Sequence, residues 1–291
     1  MDAAALSTAL DQARAKGLVP FFVGATAGTT VRGAYDPLRA LAAVCAKSNP
    51  PLWLHVDAAW GGGALFSPTH RKQLDGVDLV DSLAWSAHKQ LGAGLQCALF
   101  ITKHPAALRA ANSTNAKYLF QPDKLNAELD AGDKTIQCGR RADMLKLWML
   151  FKQHGDAGCA RIIDAAYDLK DHLVKRIEES NGALVLAYPP QGCNVCFWYV
   201  PTRMRPLSKR QQLESQGEKH EVHSVAPHIK AKLQKNGESM VGFQAVGGLP
   251  NFFRWVFASP GDGACRVTPK HIDDVLAKMA FYGEQKSDYA K

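Results

Sequence analysis

Apolar residues recur along this chain at two different spacings, and the change of spacing divides it. Leu6, Leu10 and Ala13 stand three and four apart, which predicts an amphipathic helix over 4–16 with Gly17 as its C-terminal cap. Residues 19–24 are a short apolar run that ends in a Thr/Gly-rich turn. Helical spacing returns over 38–46, and 52–56 is again a short apolar run, so the segment predicts a β-turn-α-β unit. Residues 82–85 and 97–101 are further strand candidates, nearly continuous in apolar residues as strands buried in a sheet are. The pattern implies a layered α/β domain with a mostly parallel sheet.

Beyond Asp133 the spacing becomes helical over long stretches, 142–153 and 156–178. Alternation at Val195, Phe197 and Tyr199 marks a strand, 202–223 is charged and polar and is expected to be a solvated loop, a strand surrounds 252–257, and a helix closes the chain over 269–282. These elements predict a smaller C-terminal α+β domain, with the division at residues 1–150 and 151–291.

Composition narrows the class. With 291 residues, 46% hydrophobic and 21% charged, the chain has the make-up of a globular protein and not of a disordered or disulfide-stapled one. Lys+Arg 35 against Asp+Glu 27 leaves a formal charge of +8, yet the basic residues come singly or in pairs such as Arg71-Lys72, Arg140-Arg141 and Lys209-Arg210. No basic stripe of the kind that tracks phosphates is present, so an anionic small molecule is expected in place of nucleic acid. Seven Cys from Cys45 to Cys265 do not pair into a framework, and the opening residues lack the cationic start and apolar block of a secretory leader. No apolar run approaches the roughly 20 residues of a spanning helix. A cytoplasmic protein without a membrane partner is expected.

Candidate chemistry stands at the ends of two predicted strands, where open α/β sheets build their sites. One segment is His55-Val56-Asp57-Ala58-Ala59-Trp60-Gly61-Gly62 and the other Ser86-Ala87-His88-Lys89. Alone, the Asp reads as a turn former or cap and the Lys as a surface charge. Together they are the two groups that a pyridoxal phosphate enzyme needs, an amine to condense with the aldehyde and an acid to keep the ring nitrogen protonated. Other motifs have plainer readings. Cys193-x-x-Cys196 has no second pair to complete a metal site and lies on a predicted strand, Gly61-Gly62-Gly63 suits close backbone approach, and the six Trp are core or interface bulk. No metal is expected.

These segments carry a resemblance. ATAGTTVRGAYDP (25–37), LHVDAAWGGG (54–63), Ser-Ala-His-Lys at 86–89, LQC (95–97), YLFQPDK (118–124), DAGDKTIQCGRRAD (130–143), NVCFWYVP (194–201) and NFFR (251–254) are similar to blocks of the group II pyridoxal phosphate-dependent amino-acid decarboxylases, in the glutamate and cysteine sulfinate decarboxylase branch. The resemblance implies a fold-type I enzyme, pyridoxal 5′-phosphate as cofactor, a homodimer, and carboxy-lyase activity on a small anionic amino acid: cysteine sulfinate, aspartate or glutamate. Segments 129–134 and 138–141 incline it to the cysteine sulfinate branch. By resemblance Lys89 is the Schiff-base lysine, Asp57 the partner of the pyridinium nitrogen, Ala59 a packing contact against the ring, and Thr30, Ser86 and His88 its neighbours. Tyr118 corresponds to the tyrosine that protonates the carbanion, and Arg254 to the arginine that grips a substrate carboxylate.

Two departures qualify the resemblance. Where the family has Asn-Pro-His-Lys this chain has Ser-Ala-His-Lys, which implies a hydroxyl in place of an amide at the phosphate and a less fixed turn. The family also carries a long portion ahead of the first block, with more strands, part of the phosphate cradle and a His stacked on the ring, and no block here resembles it. The expectation is an N-terminally truncated member holding only the C-terminal portion of the large domain. The alternative is a catalytically silent homologue that keeps a dimerisation surface.

Overall fold

The computed structural model describes residues 1–116, 118–121, 123–137, 139, 141–259 and 266–285. Chain order begins with α1 (Ala3–Ala15), β1 (Phe22–Thr26), α2 (Leu38–Lys47), β2 (Trp53–Asp57), β3 (Ser82–Ser86), β4 (Ala98–Thr102) and α3 (Ala107–Asn112). The Asp2 carboxylate accepts the Ala5 N–H to start α1, and Gly17, at φ 75°, lets the chain leave it as predicted. Strands β1, β2 and β3 are parallel, in register Thr26↔Asp57↔Ala84, and β4 is antiparallel to β3. The crossover β1–α2–β2 is the predicted unit.

One face of this sheet is core and the other is not. Val23, Ala25, Leu54 and Val56 are buried beside Leu38 and Leu41 of α2. On the opposite face His55 lies between two phenyl rings, 6.1 Å from Phe22 and 5.8 Å from Phe100. The expectation that 97–101 is a buried strand is therefore corrected: β4 closes one end of the sheet, and Phe100 and Ile101 are about half exposed. Apolar content reported a strand but not its cover.

The chain then enters α4 (Asp143–Glu178), broken at Gly155 (φ 58°, ψ −175°), close to where the spacing separates two helices. After it come β5 (Leu184–Leu186), β6 (Asn194–Tyr199), α5 (Arg210–Glu214), α6 (Val222–Lys235), β7 (Gly242–Gln244), β8 (Phe252–Val256) and α7 (Pro269–Gly283). The second sheet is antiparallel, order β5-β6-β8-β7, and α4, α6 and α7 pack on it. Every residue of β6 is buried, so the alternation of Val195, Phe197 and Tyr199 marked a strand covered on both faces and not a half-solvated one.

Residues 202–223 are not a solvated loop. They form a 3-10 turn over Thr202–Leu207 and then α5, and Met204, Leu213 and Val222 are buried. The three apolar residues are spread thinly among charges, so composition hid their common direction. Helix α6 was not anticipated either, although Val222, Val225, Ala226, Ile229 and Leu233 carry its buried stripe; Pro227 and the lysines masked it.

Asp81 ties β3 to β2 at their lower end. Its carboxylate accepts the Leu54 N–H at 2.8 Å and pairs with His104 Nε2 at 2.7 Å, with Lys103 at 3.4 Å. Partial burial works against the charge, but the bonds from His104, Leu54 and Lys103 outweigh it and hold the carboxyl below its ordinary range. A depressed folded value means that the stability is present above the unfolded carboxyl range and lost as pH falls through the folded value. Asp81→Asn should cost about 1–3 kcal/mol at pH 7, and chemical denaturation between pH 7 and pH 2 should show the variant losing less on acidification than the parent.

Candidate active site

Because β1, β2 and β3 run the same way, their C-terminal ends share one edge of the sheet. The ladder continues past the strands: Ala27 N–H donates to Asp57 O at 2.8 Å and Ala58 N–H to Ala84 O at 2.9 Å. Three connections therefore meet there, 27–33 after β1, 58–63 after β2 and 87–93 after β3. Gly28, at φ 82°, lies so close to Gly61 that a Cβ would meet its nitrogen at 2.6 Å, and a Cβ on Gly61 would meet Ala27 O at 2.6 Å. The glycines thus serve close backbone approach, as the sequence suggests, and allow the first two connections to touch.

Asp57 is the last residue of β2 and its carboxylate is exposed; Oδ1 accepts the Ala59 N–H at 3.0 Å and so has a fixed direction. Ala59 is half-buried, two residues beyond. Ser86 ends β3, and its carbonyl accepts the Lys89 N–H at 3.0 Å. His88 Nδ1 sits against the backbone of Cys97, 2.8 Å from its oxygen and 3.0 Å from its nitrogen. The Lys89 ammonium stands over the Trp60 ring, 4.7 Å from its centroid. Among the described residues neither Asp57 nor Lys89 has an ion-pair partner within 4.0 Å. Two groups of opposite formal charge thus stand at adjoining strand ends without an ion pair among the described residues.

The second sheet reaches the same edge. Asn194 at the start of β6 donates from Nδ2 to Thr30 O at 2.9 Å and Val31 O at 3.0 Å, and the Cys196 thiol donates to Val31 O at 3.3 Å. Arg254 on β8 pairs across the ladder with Cys196, donates from Nη1 to Thr30 O at 3.1 Å, and keeps a buried Nε with no hydrogen-bond acceptor. The guanidinium is thus anchored at one nitrogen and oriented from the second sheet towards the connection after β1. Burial pushes the Cys196 thiol up to about 12 despite the nearby Arg254 and Arg32, so it stays neutral.

The structure thus brings Thr30, Asp57, Ala59, Ser86, His88, Lys89 and Arg254 to connections that share one edge. It does not bring Tyr118 there. That side chain is 84% exposed, and no hydrogen bond or ring contact joins it to the strand-end residues among those described. Cys138 and Arg140, which incline the sequence to the cysteine sulfinate branch, lie outside the described residues. Sequence reasoning missed Asn194, Gln90 and Trp60 as residues of this region. Trp60 and Asn194 lie inside quoted motifs without having been singled out, and Gln90 offered only its polarity within apolar surroundings. No group of described residues could hold a metal ion, and no described helix is long and apolar enough to cross a membrane.

Residues 1–200 match the pyridoxal-dependent decarboxylase conserved domain. The chain is 48% identical over 274 residues to the cysteine sulfinic acid decarboxylase of Mus musculus, with 94% of this chain and 53% of that protein aligned. The enzyme of the same name from Homo sapiens is 47% identical over 281 residues, with 96% and 54% aligned. The chain spans about half the length of the curated relatives it matches. Its backbone is similar to a crystal structure of mouse CSAD, with a TM-score of 0.87 at 40% identity over 98% of this chain and 57% of that one. It is also similar to Catharanthus roseus tryptophan decarboxylase in complex with L-tryptophan, with a TM-score of 0.79 at 27% identity over 98% and 55%. This chain belongs to the pyridoxal-dependent decarboxylase family.

Proposed function

We propose that the protein removes the α-carboxylate of an acidic amino acid, with pyridoxal 5′-phosphate seated on the strand-end edge. The observation that carries this reading is the pair of unmatched charges, Asp57 and Lys89, at the ends of adjacent parallel strands. They fit the cofactor: a cationic ring nitrogen complements Asp57, and an aldehyde complements the Lys89 amine. Bound there, pyridoxal phosphate supplies an electron-accepting ring for the pair left at Cα when carbon dioxide departs.

The protein's own groups divide the work. The Lys89 amine would hold pyridoxal phosphate through its aldehyde and exchange it for the substrate amine. Asp57, its Oδ1 tied to Ala59 N–H, would keep a proton on the ring nitrogen, and Ala59 and His88 would be among the residues that hold the ring. Ser86 and Thr30 would help to hold the phosphate. Arg254, its Nη1 held on Thr30 O, would offer its remaining guanidinium donors to the substrate carboxylate. Tyr118 delivers the proton to the carbon that lost carbon dioxide, from a segment whose exposure leaves its hydroxyl unattached.

Among acidic substrates cysteine sulfinate is the first choice, supported by the relatives named cysteine sulfinic acid decarboxylase. The working assembly in this reading is a cytoplasmic homodimer. Its support is the exposed apolar set Met144, Trp148 and Met149 on the first half of α4, a surface of the kind a subunit contact covers.

Borohydride reduction after incubation with pyridoxal phosphate, followed by peptide mapping, should place the adduct on Lys89, and Lys89→Ala should lose it. An adduct retained by Lys89→Ala would overturn the reading and favour a silent homologue. Arg254→Lys should raise KM for cysteine sulfinate about tenfold or more, since a charge-assisted fork is worth about 1.5–3 kcal/mol; steady-state kinetics checks it. Tyr118→Phe should still release carbon dioxide but yield less amine per carbon dioxide than the parent, measured by trapping both products. An unchanged ratio would remove Tyr118 from the proton step.

A further inference from the structure

Lys89 stands between two side chains that are each clamped to a different part of the fold. Before it, His88 is held on the Cys97 backbone at the entry to β4. After it, Gln90 is 3% exposed and its Nε2 donates to Cys193 Sγ at 3.2 Å, in the residues leading into β6. The connection itself is pinned by Lys89 N–H to Ser86 O and Ala93 N–H to Ala87 O, at 3.0 and 3.1 Å. The second clamp therefore crosses from one sheet to the other, one residue away from the amine.

Cys193 is buried, two residues beyond Gln191, which is itself held by hydrogen bonds at the surface. Its thiol is pushed up to about 12, chiefly by burial, and so remains a neutral S–H with a sulfur lone pair for the amide. Tyr35 N–H donates to Gln191 Oε1 at 3.0 Å, and Gln73 Nε2 donates to Gln191 O at 2.6 Å. Tyr167 OH donates to Gln73 Oε1 at 2.5 Å, with Tyr35 OH 3.5 Å away. The segment that holds Gln90 is thus itself held. Gln90 Oε1 is buried without a hydrogen-bond partner, beside a small cavity lined by Trp60, Gly61 and Cys193. A leucine would fill this place with no unmet acceptor; a glutamine gains only what its amide contacts.

We infer that Gln90 is a positioning residue for Lys89, its amide on Cys193 transmitting the placement of the second sheet to the lysine that stands over Trp60. The inference rests on the reading of Lys89 as the residue that condenses with pyridoxal phosphate. A small misplacement of a reacting amine slows its chemistry steeply.

The test uses the full chain, with Gln90→Met, Cys193→Val and Cys193→Ser. The rate of borohydride-trappable adduct formation at Lys89 is measured by peptide mapping, beside the melting temperature without cofactor. Gln90→Met and Cys193→Val should slow the adduct about tenfold, while Cys193→Ser, whose hydroxyl still accepts from the amide, should stay within about twofold of the parent. Acetylation of Lys175, an exposed residue of α4, should be unchanged in all three. Parental rates in Gln90→Met and Cys193→Val would overturn the inference and leave the function of Lys89 intact, as would a slowing that Cys193→Ser shares. If Gln90→Met fails to fold, the Val and Ser variants at 193 decide the matter. A parent with no adduct at Lys89 refutes the underlying reading and this inference with it.

Discussion

The parallel ladder of β1, β2 and β3 is the constraint from which the site follows. Parallel strands deliver their C-terminal ends to one edge, and here the ladder extends one step further through Ala27 N–H to Asp57 O and Ala58 N–H to Ala84 O. Those bonds leave the three connections no choice of side. Asp57 and Lys89, separated by more than thirty positions in sequence, come to the same edge because one ends its strand and the other stands a short way past the end of the next. Chemistry on this edge is a property of topology before it is a property of any side chain.

The ladder does not hold the connection after β1 alone; the antiparallel sheet contributes as well. Asn194 and Arg254 both bind the connection after β1, at Thr30 O and Val31 O. These backbone carbonyls already satisfy their own electrostatic demand on the second sheet, so Arg254 is oriented by neutral acceptors and not by a carboxylate. Its charge is left uncompensated by them. An arginine neutralised by an Asp would be poorer at drawing an anion; one held by carbonyls keeps its full attraction.

The elements that were legible in the sequence are those whose burial is simple. Helix α1 with Asp2 and Gly17 at its ends, the β1–α2–β2 unit, and the interruption of α4 near Gly155 can all be read from spacing and caps. The candidate site was legible for a related reason, since strand ends are short, polar and flanked by glycine. What stayed hidden depended on partners far along the chain. Phe100 and Ile101 look like core until the sheet order makes β4 its end, and Leu213 looks stranded among charges until α5 folds inward. Tyr118 shows the converse: its motif is clear, and its surroundings here are solvent.

The replacement of Asn-Pro by Ser86-Ala87 illustrates how a local rule can be met by other means. A proline would restrict this turn through its own ring, and its loss predicts a looser connection. In the structure Ala87 is fully buried, its carbonyl accepts the Ala93 N–H, and the Ser86 carbonyl accepts the Lys89 N–H. The clamps at His88 and Gln90 then fix the residues on either side of the lysine. Rigidity that a ring would place in the covalent chain is here placed in tertiary contacts. Such rigidity is conditional, because it lasts only while the two sheets keep their mutual arrangement, whereas a proline restricts the backbone even when the surroundings loosen. The Lys89 backbone is consequently coupled, through the side chain next to it, to the packing of one sheet on the other.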